Sequence, residues 1–277
     1  MNKLFVIQLI VSFVVGGVVI ALLSFIAEKS SKRIAGIILA FPTTVALSFF
    51  FLGWTLSPKA VADVVPATLI PLGLSILFAA VYAYVANYLA KIVKSKIRQI
   101  LVTFIISIGF WFAFAIPVVV LEINSLAVGV AGYAFLILIA HLLLQRKNYE
   151  KLVTLNYTLG QKVGRATFVG FIVFLVVLLG KLLNPFWGGM FAMFPAAFSS
   201  LLMILHWYYD PKILFPTMQK VAVGSLSLFA YAITTMSVFP KFSFIIGTLF
   251  AYAVSLVVTL LLMKFQSKSK EIVRPSL

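Results

Sequence analysis

Two prolines near the middle of long apolar stretches are each followed by hydroxyl side chains. Proline has no N–H and its ring crowds the carbonyl four residues earlier, so each one releases a backbone carbonyl within its helix. In hydrocarbon that carbonyl needs a partner, and nearby hydroxyls can satisfy it or leave it for a substrate. The alternative is that both prolines serve only helix packing. The candidate substrate-binding residues are Pro42, Thr43, Thr44, Ser48, Pro195, Ser199 and Ser200.

Other reactive side chains are scarce. The chain has no Cys, two His and six acids, and all six acids fall in predicted loops or at the ends of predicted helices. This predicts no metal site, no cofactor and no enzymatic activity, and it disfavours proton coupling through a buried carboxylate. His141 and His206 are expected at the membrane interface rather than in a proton relay. The acids are Glu28, Asp63, Glu122, Glu150, Asp210 and Glu271.

The stretch around the first proline is written twice in the chain. Seven identities recur at one offset of 153 residues, and the match extends back to Gly17 and Gly170. Biased composition alone does not preserve the spacing of Pro, Trp and Lys, so the pattern indicates an internal duplication. The first copy has Gly36, Phe41, Pro42, Leu52, Trp54, Pro58 and Lys59, and the second has Gly189, Phe194, Pro195, Leu205, Trp207, Pro211 and Lys212.

Composition places the chain in a membrane. It is 63% hydrophobic and 10% charged, with a mean hydropathy of +1.16. The net charge of +16 comes from short basic clusters between apolar runs, a pattern typical of membrane loops and not of nucleic-acid binding. Trp54 and Trp207 are predicted interfacial anchors at opposite membrane faces. Nine predicted spans cover residues 4–27, 34–56, 66–90, 99–121, 124–144, 166–183, 187–207, 217–237 and 241–263.

Charge predicts the orientation of these spans. With the N-terminus outside and the C-terminus inside, eighteen of the 22 Lys and Arg residues fall on the cytoplasmic side. The second and seventh spans, which carry the duplicated stretch, are then five helices apart and run in opposite directions. The sequence therefore predicts an all-α polytopic membrane protein with a 4+1+4 inverted-topology repeat.

The predicted organisation has five parts. Residues 1–121 form the first repeat of four transmembrane helices, and 122–145 a single linking helix. Residues 146–165 form a cytoplasmic connector, 166–265 the second and inverted repeat of four helices, and 266–277 a polar tail.

The first half resembles the GlpM-like family of small four-helix membrane proteins. The resemblance is carried by Ile34-Ala35-Gly36, Phe41-Pro42-Thr43 and Ala46-Leu47, followed by a polar break and a span with Pro71. It covers roughly residues 10–121, whereas the second half has Ala196-Ala197 in place of Thr43-Thr44. It implies a link to exopolysaccharide production and a stand-alone unit that was duplicated and fused. It carries no catalytic or binding residues over.

The functional prediction is a secondary-type transporter or facilitator of the cell membrane. It would move a neutral, amphipathic or lipid-like substrate by alternating access around the second and seventh spans. One alternative is a flippase for a lipid or polyprenyl-phosphate, and another is a non-transporting assembly subunit of an envelope polysaccharide system. The expected partners are membrane lipids and a small-molecule or lipid substrate, with no nucleic acid. A homo-oligomer is compatible with the sequence.

Overall fold

The computed structural model of the chain describes residues 3–29, 42–145, 158–219 and 221–272, and every regular element in these ranges is helical. One 3₁₀ turn covers Pro211–Ile213. The α-helices are α1 Lys3–Lys29, α2 Thr43–Thr55, α3 Pro58–Ile92, α4 Lys96–Val120, α5 Leu126–Gln145, α6 Leu159–Leu182, α7 Pro185–Ala192, α8 Ala196–Tyr208, α9 Leu214–Met218, α10 Val221–Gly224, α11 Leu226–Val238 and α12 Phe244–Ile272.

Eight helical stretches are long and apolar enough to cross a membrane. About 20 residues of helix span the hydrocarbon layer, and each of these stretches has at least 18 residues. The chain is therefore an all-α, multi-pass membrane protein, as the sequence predicted. The stretches are Lys3–Ile26, Pro58–Ile92, Lys96–Val120, Leu126–Gln145, Leu159–Leu182, Pro185–Tyr208, Val221–Val238 and Phe244–Lys264.

The remaining predicted span, 34–56, is described only from Pro42 onward. There it forms α2, a shorter apolar helix of 13 residues. Residues 34–41 of this span lie outside the described residues, as do 146–157 of the predicted connector and the end of the tail, 273–277.

Helix α3 is the centre of the fold. It is 35 residues long, and it packs against α4, α5, α7 and α11. Its start is fixed by Ser57, whose Oγ accepts a hydrogen bond from Ala60 N at 3.0 Å, and by Pro58 in the first turn, where no N–H is needed. Because most of its side chains are buried in protein, α3 positions the elements on either side of it.

Helices α1 and α6 occupy equivalent positions in the two sequence copies, and they pack directly on each other. A Cβ atom on Gly170 would lie 2.6 Å from the Phe13 carbonyl oxygen and 3.2 Å from the Gly17 nitrogen. Further along, the Lys162 ammonium lies 5.4 Å from the ring centroid of Phe25. Residue numbers therefore fall along α6 as they rise along α1, so the two helices run antiparallel.

The duplicated sequence has the same local structure in both copies. Pro42 has φ −75° and ψ 41°, Pro195 has φ −75° and ψ 45°, and each immediately precedes a 13-residue helix, α2 or α8. After each helix comes a side-chain N-cap at the equivalent position: Ser57 in the first copy and Asp210 in the second. In both copies, therefore, a proline precedes a 13-residue helix, and a side-chain N-cap follows it.

The copies diverge beyond these caps. The first continues as the unbroken α3, whereas the second divides into the 3₁₀ turn, α9, α10 and α11. Pro216 removes a backbone donor within α9, and Gly224 at the end of α10 is a poor helix former. The second copy therefore has irregular backbone where the first has a continuous rod.

Some boundaries differ from the sequence prediction. Helix α6 begins at Leu159, seven residues before the predicted span over 166–183, because Thr158 and Gln161 form a capping box that extends the helix into the predicted connector. The predicted span 187–207 is two helices, α7 and α8, separated at the proline break. Helix α12 continues to Ile272, into the predicted tail.

The close contact between α1 and α6 predicts a stability effect. Gly170→Val should lower the thermal unfolding temperature in detergent, because its Cβ would meet backbone atoms that cannot rotate away. Overpacking of this kind costs about 1–3 kcal/mol. Gly160→Val is the matched control, since a Cβ there meets nothing within 4 Å on the same helix. Equal unfolding temperatures for the two variants would contradict the contact.

Candidate functional site

A cavity of about 360 Å³, called here the central cavity, opens beside the two prolines. It is bounded by the start of α2, by α3, by the break between α7 and α8, and by the chain from α9 to α11. The residues that line it are Pro42, Thr43, Thr44, Val45, Leu72, Ser75, Met193, Phe194, Pro195, Ala197, Phe198, Thr217, Val221, Gly224, Ser225 and Leu228.

The lining of the central cavity is mostly apolar. Its polar side chains are all hydroxyls: Thr43, Thr44, Ser75, Thr217 and Ser225. None of the described residues that line it is charged. Such a surface can accept carbon groups along its walls and hydrogen-bond a ligand at a few points, but it offers nothing to neutralise a bare ion.

Both copies supply the cavity from equivalent positions. Five pairs of lining residues are related by the offset of 153 that relates the sequence copies. The cavity therefore forms where the copies meet. The pairs are Pro42 and Pro195, Thr44 and Ala197, Val45 and Phe198, Leu72 and Ser225, and Ser75 and Leu228.

The break before α8 leaves backbone groups that local bonds satisfy only in part. The carbonyl oxygen of Phe191, expected to be released by Pro195, accepts the N–H of Phe194 at 3.0 Å. The Ala196 N–H bonds to the Phe194 oxygen at 2.7 Å instead of continuing an α-helical pattern. The Met193 carbonyl instead takes its partner from another helix.

That partner is Ser75 of α3. Its Oγ lies within hydrogen-bonding distance of the Met193 oxygen and 2.9 Å from the Pro71 oxygen. A serine hydroxyl has one proton, so it donates to one of these carbonyls at a time. The Trp111 Nε1–H donates to Ser75 Oγ at 2.9 Å, which keeps the hydroxyl in place. The Trp111 indole and the Ser75 hydroxyl thus connect the break between α7 and α8, in the second copy, to α3 of the first copy.

A second hydroxyl pair supports the opposite wall. Ser225 Oγ lies 2.8 Å from the Tyr133 hydroxyl and 2.7 Å from the Ala222 oxygen. Tyr133 belongs to α5, the predicted linking helix, and it is buried. Helix α5 approaches α3 closely through Gly129, where a Cβ would lie 2.5 Å from the Pro66 oxygen. The linking helix therefore also braces the site.

The structure brings together four of the seven sequence-predicted site residues. Pro42, Thr43, Thr44 and Pro195 line the central cavity. Ser48 and Ser199 do not line it; their side chains are fully buried, and their hydroxyls have no hydrogen-bond partner in the described part of the chain. Ser200 lines a different cavity.

Sequence reasoning missed the lining residues of the third and eighth predicted spans, including Ser75 and Ser225. The signal was present, since extending the offset of 153 beyond Lys59 pairs Ser75 with Leu228 and Leu72 with Ser225. The paired residues differ in type, so only the constant offset of 153 residues could have identified these positions.

The structure buries His206 inside the protein, which the sequence did not predict. Its side chain is fully buried, and Nδ1 lies 3.3 Å from the Tyr82 hydroxyl on α3. The neighbouring Trp207 is 48% exposed, and Trp54 is half-buried. Helix α8 turns its histidine inward because the imidazole has a polar partner there, while the indole faces outward.

Within the described ranges, no three His, Cys, Asp or Glu side chains are close enough to hold a metal ion. No protein family, curated protein or solved structure matches the chain. The resemblance to the GlpM-like family stays a prediction. What the site can do must therefore be argued from its own geometry.

The bond network at Ser75 yields a prediction. Ser75→Ala should lower the free energy of unfolding by about 1–3 kcal/mol, because the Met193 carbonyl loses a buried donor and the Trp111 N–H keeps only the Pro71 oxygen, at 3.3 Å. Ser107→Ala is the matched control, since Ser107 is equally buried but bonds only to Thr103 of its own helix, at 2.7 Å. Thermal unfolding in one detergent measures both. Equal, small losses would contradict a bridging role for Ser75.

Proposed function

We propose that the chain is a secondary-type membrane transporter or facilitator that moves its substrate through the central cavity by alternating access. One observation carries the proposal: the cavity is lined by equivalent residues of both copies and lies against the start of α2 at Pro42 and the break at Pro195. Inverted repeats with interrupted helices around a shared site are the usual construction of secondary transporters.

The proposal includes nine spans in a 4+1+4 inverted repeat, with the N-terminus outside and the C-terminus inside. Helix α2 belongs to the second of these spans, 34–56, which is the one not among the eight membrane-length helices. The antiparallel packing of α1 and α6 supports the inversion, because these helices are equivalent in the two copies and would be parallel in a direct repeat. The close approach of Gly17 and Gly170, an equivalent pair, is what a two-fold axis between them requires.

The cavity lining favours a neutral or amphipathic substrate. Its hydroxyls can orient a ligand, and its volume of about 360 Å³ is in the range of small-molecule sites. A free cation or anion would lose its hydration without gaining a charged partner. The substrate class is therefore an uncharged molecule, or the uncharged part of an amphiphile.

The prolines would supply the moving joints. A continuous helix resists local bending. Residues 193–195 separate α7 from α8, and α2 begins at the equivalent point of the first copy. Ser75 can donate its proton to Met193 or to Pro71. Two acceptors for one donor allow α8 to shift against α3 while a buried hydroxyl keeps one partner in either position.

Accessibility of the cavity tests the proposal without a known substrate. Thr44→Cys in this cysteine-free chain should react with a membrane-impermeant methanethiosulfonate reagent from both faces, in right-side-out and in inverted vesicles. Ser48→Cys, one turn further along α2 and fully buried away from the cavity, is the matched control and should react from neither face. Reaction of Thr44→Cys from one face only would contradict alternating access and favour a non-transporting scaffold.

A further inference from the structure

A second cavity, of about 300 Å³, lies between α4, α6 and α8, and is called here the Arg165 cavity. Three of its lining residues are polar: Gln161 and Arg165, close together on α6, and Ser200 of α8. Its other walls are largely apolar, with Phe104 from α4, Phe168 from α6, and Met203 and Ile204 from α8. It therefore joins one cationic end to a hydrocarbon-like body.

Arg165 is unusual for a membrane helix because it is nearly completely buried. Its side chain is 9% exposed, and it lies in the second turn of α6, inside a stretch apolar enough to span the membrane. Arginine is always charged, and charged side chains at such positions face a protein interior or a cavity and mark binding or transport paths. The guanidinium binds phosphate through two parallel N–H bonds, so an anionic head group is the chemistry that it recognises.

Two lysines lie near the same ends of α4 and α6 without lining the cavity. Lys162, one turn before Arg165, has its ammonium over the ring of Phe25, and Lys96 lies at the start of α4 with its ammonium 3.1 Å from the Tyr209 oxygen. Just after α8, the Asp210 carboxylate accepts a hydrogen bond from the Lys212 N–H at 2.9 Å. This end of the helices lies on the predicted cytoplasmic face, where the negatively charged lipids of the membrane attract basic residues.

We propose that the Arg165 cavity binds an anionic phospholipid, with the phosphate on Arg165 and an acyl chain along Phe104 and Phe168. The apolar walls favour a lipid over free phosphate, which would gain nothing from them. The site is separate from the central cavity and shares none of its lining residues. Lipid binding at this site can therefore be tested independently of the proposed transport function.

Lipid retention measured by native mass spectrometry tests the site. Delipidated protein is given equal amounts of phosphatidylglycerol and phosphatidylcholine, and the bound lipids are counted. The full chain should retain mainly phosphatidylglycerol, and Arg165→Gln should lower its affinity roughly tenfold, the loss of one charge-assisted contact. Arg98→Gln, at an exposed arginine on the same face and outside the cavity, should bind as the wild type does.

A second pair of variants does not depend on the stability of the Arg165 variant. Gly164 lines the cavity, and a Cβ there meets nothing within 4 Å, so Gly164→Leu fills the cavity without a backbone clash and should displace the lipid. Gly160→Leu, one turn earlier and equally open, is its control and should not. Unchanged phosphatidylglycerol binding by both Gly164→Leu and Arg165→Gln would overturn the proposal. Full displacement of the lipid by inorganic phosphate would overturn it also, in favour of a phosphate site.

Discussion

A backbone carbonyl that is released inside a membrane must find a donor, because no water is present to supply one. This constraint decides the shape of the protein around Pro195. The break before α8 is tolerated because the Phe191 oxygen bonds locally to Phe194 and the Met193 oxygen reaches Ser75 on α3. Trp111 in turn fixes Ser75. The irregular backbone thus lies against the central helix and borders the central cavity instead of facing lipid.

The two copies share the proline that precedes α2 or α8 but not their polar groups, and the differences are complementary. Where the first copy has Leu72 and Ser75, the second has Ser225 and Leu228. Each pair of equivalent positions therefore gives the cavity one hydroxyl and one aliphatic side chain. Two identical copies would have doubled or removed those hydroxyls. The cavity is mostly apolar, with a few hydrogen-bonding points on different walls.

The sequence predicted the parts of the fold that depend on local chemistry. Hydropathy predicted the eight membrane-length helices, and the repeated proline located the start of α2 and the break before α8. It did not predict the inward turn of His206, because that depends on Tyr82 of a distant helix. It missed Ser75 for the same reason, since a serine in an apolar helix has no pattern until its partner across the interface is known. The early start of α6 was predictable, because Thr158 and Gln161 are a capping box written in the sequence.

The relation between α1 and α6 tests the proposed inverted repeat most directly. Phe25→Cys combined with Lys162→Cys should join through a short bismaleimide, because these positions are neighbours in the antiparallel pair. Phe25→Cys combined with Leu178→Cys should not, since Leu178 is 16 residues from Lys162, about 24 Å along the helix at 1.5 Å per residue. Leu178 is the residue that would face Phe25 if the copies were parallel and in register. Efficient joining of Phe25→Cys to Leu178→Cys, and none to Lys162→Cys, would contradict the inverted repeat.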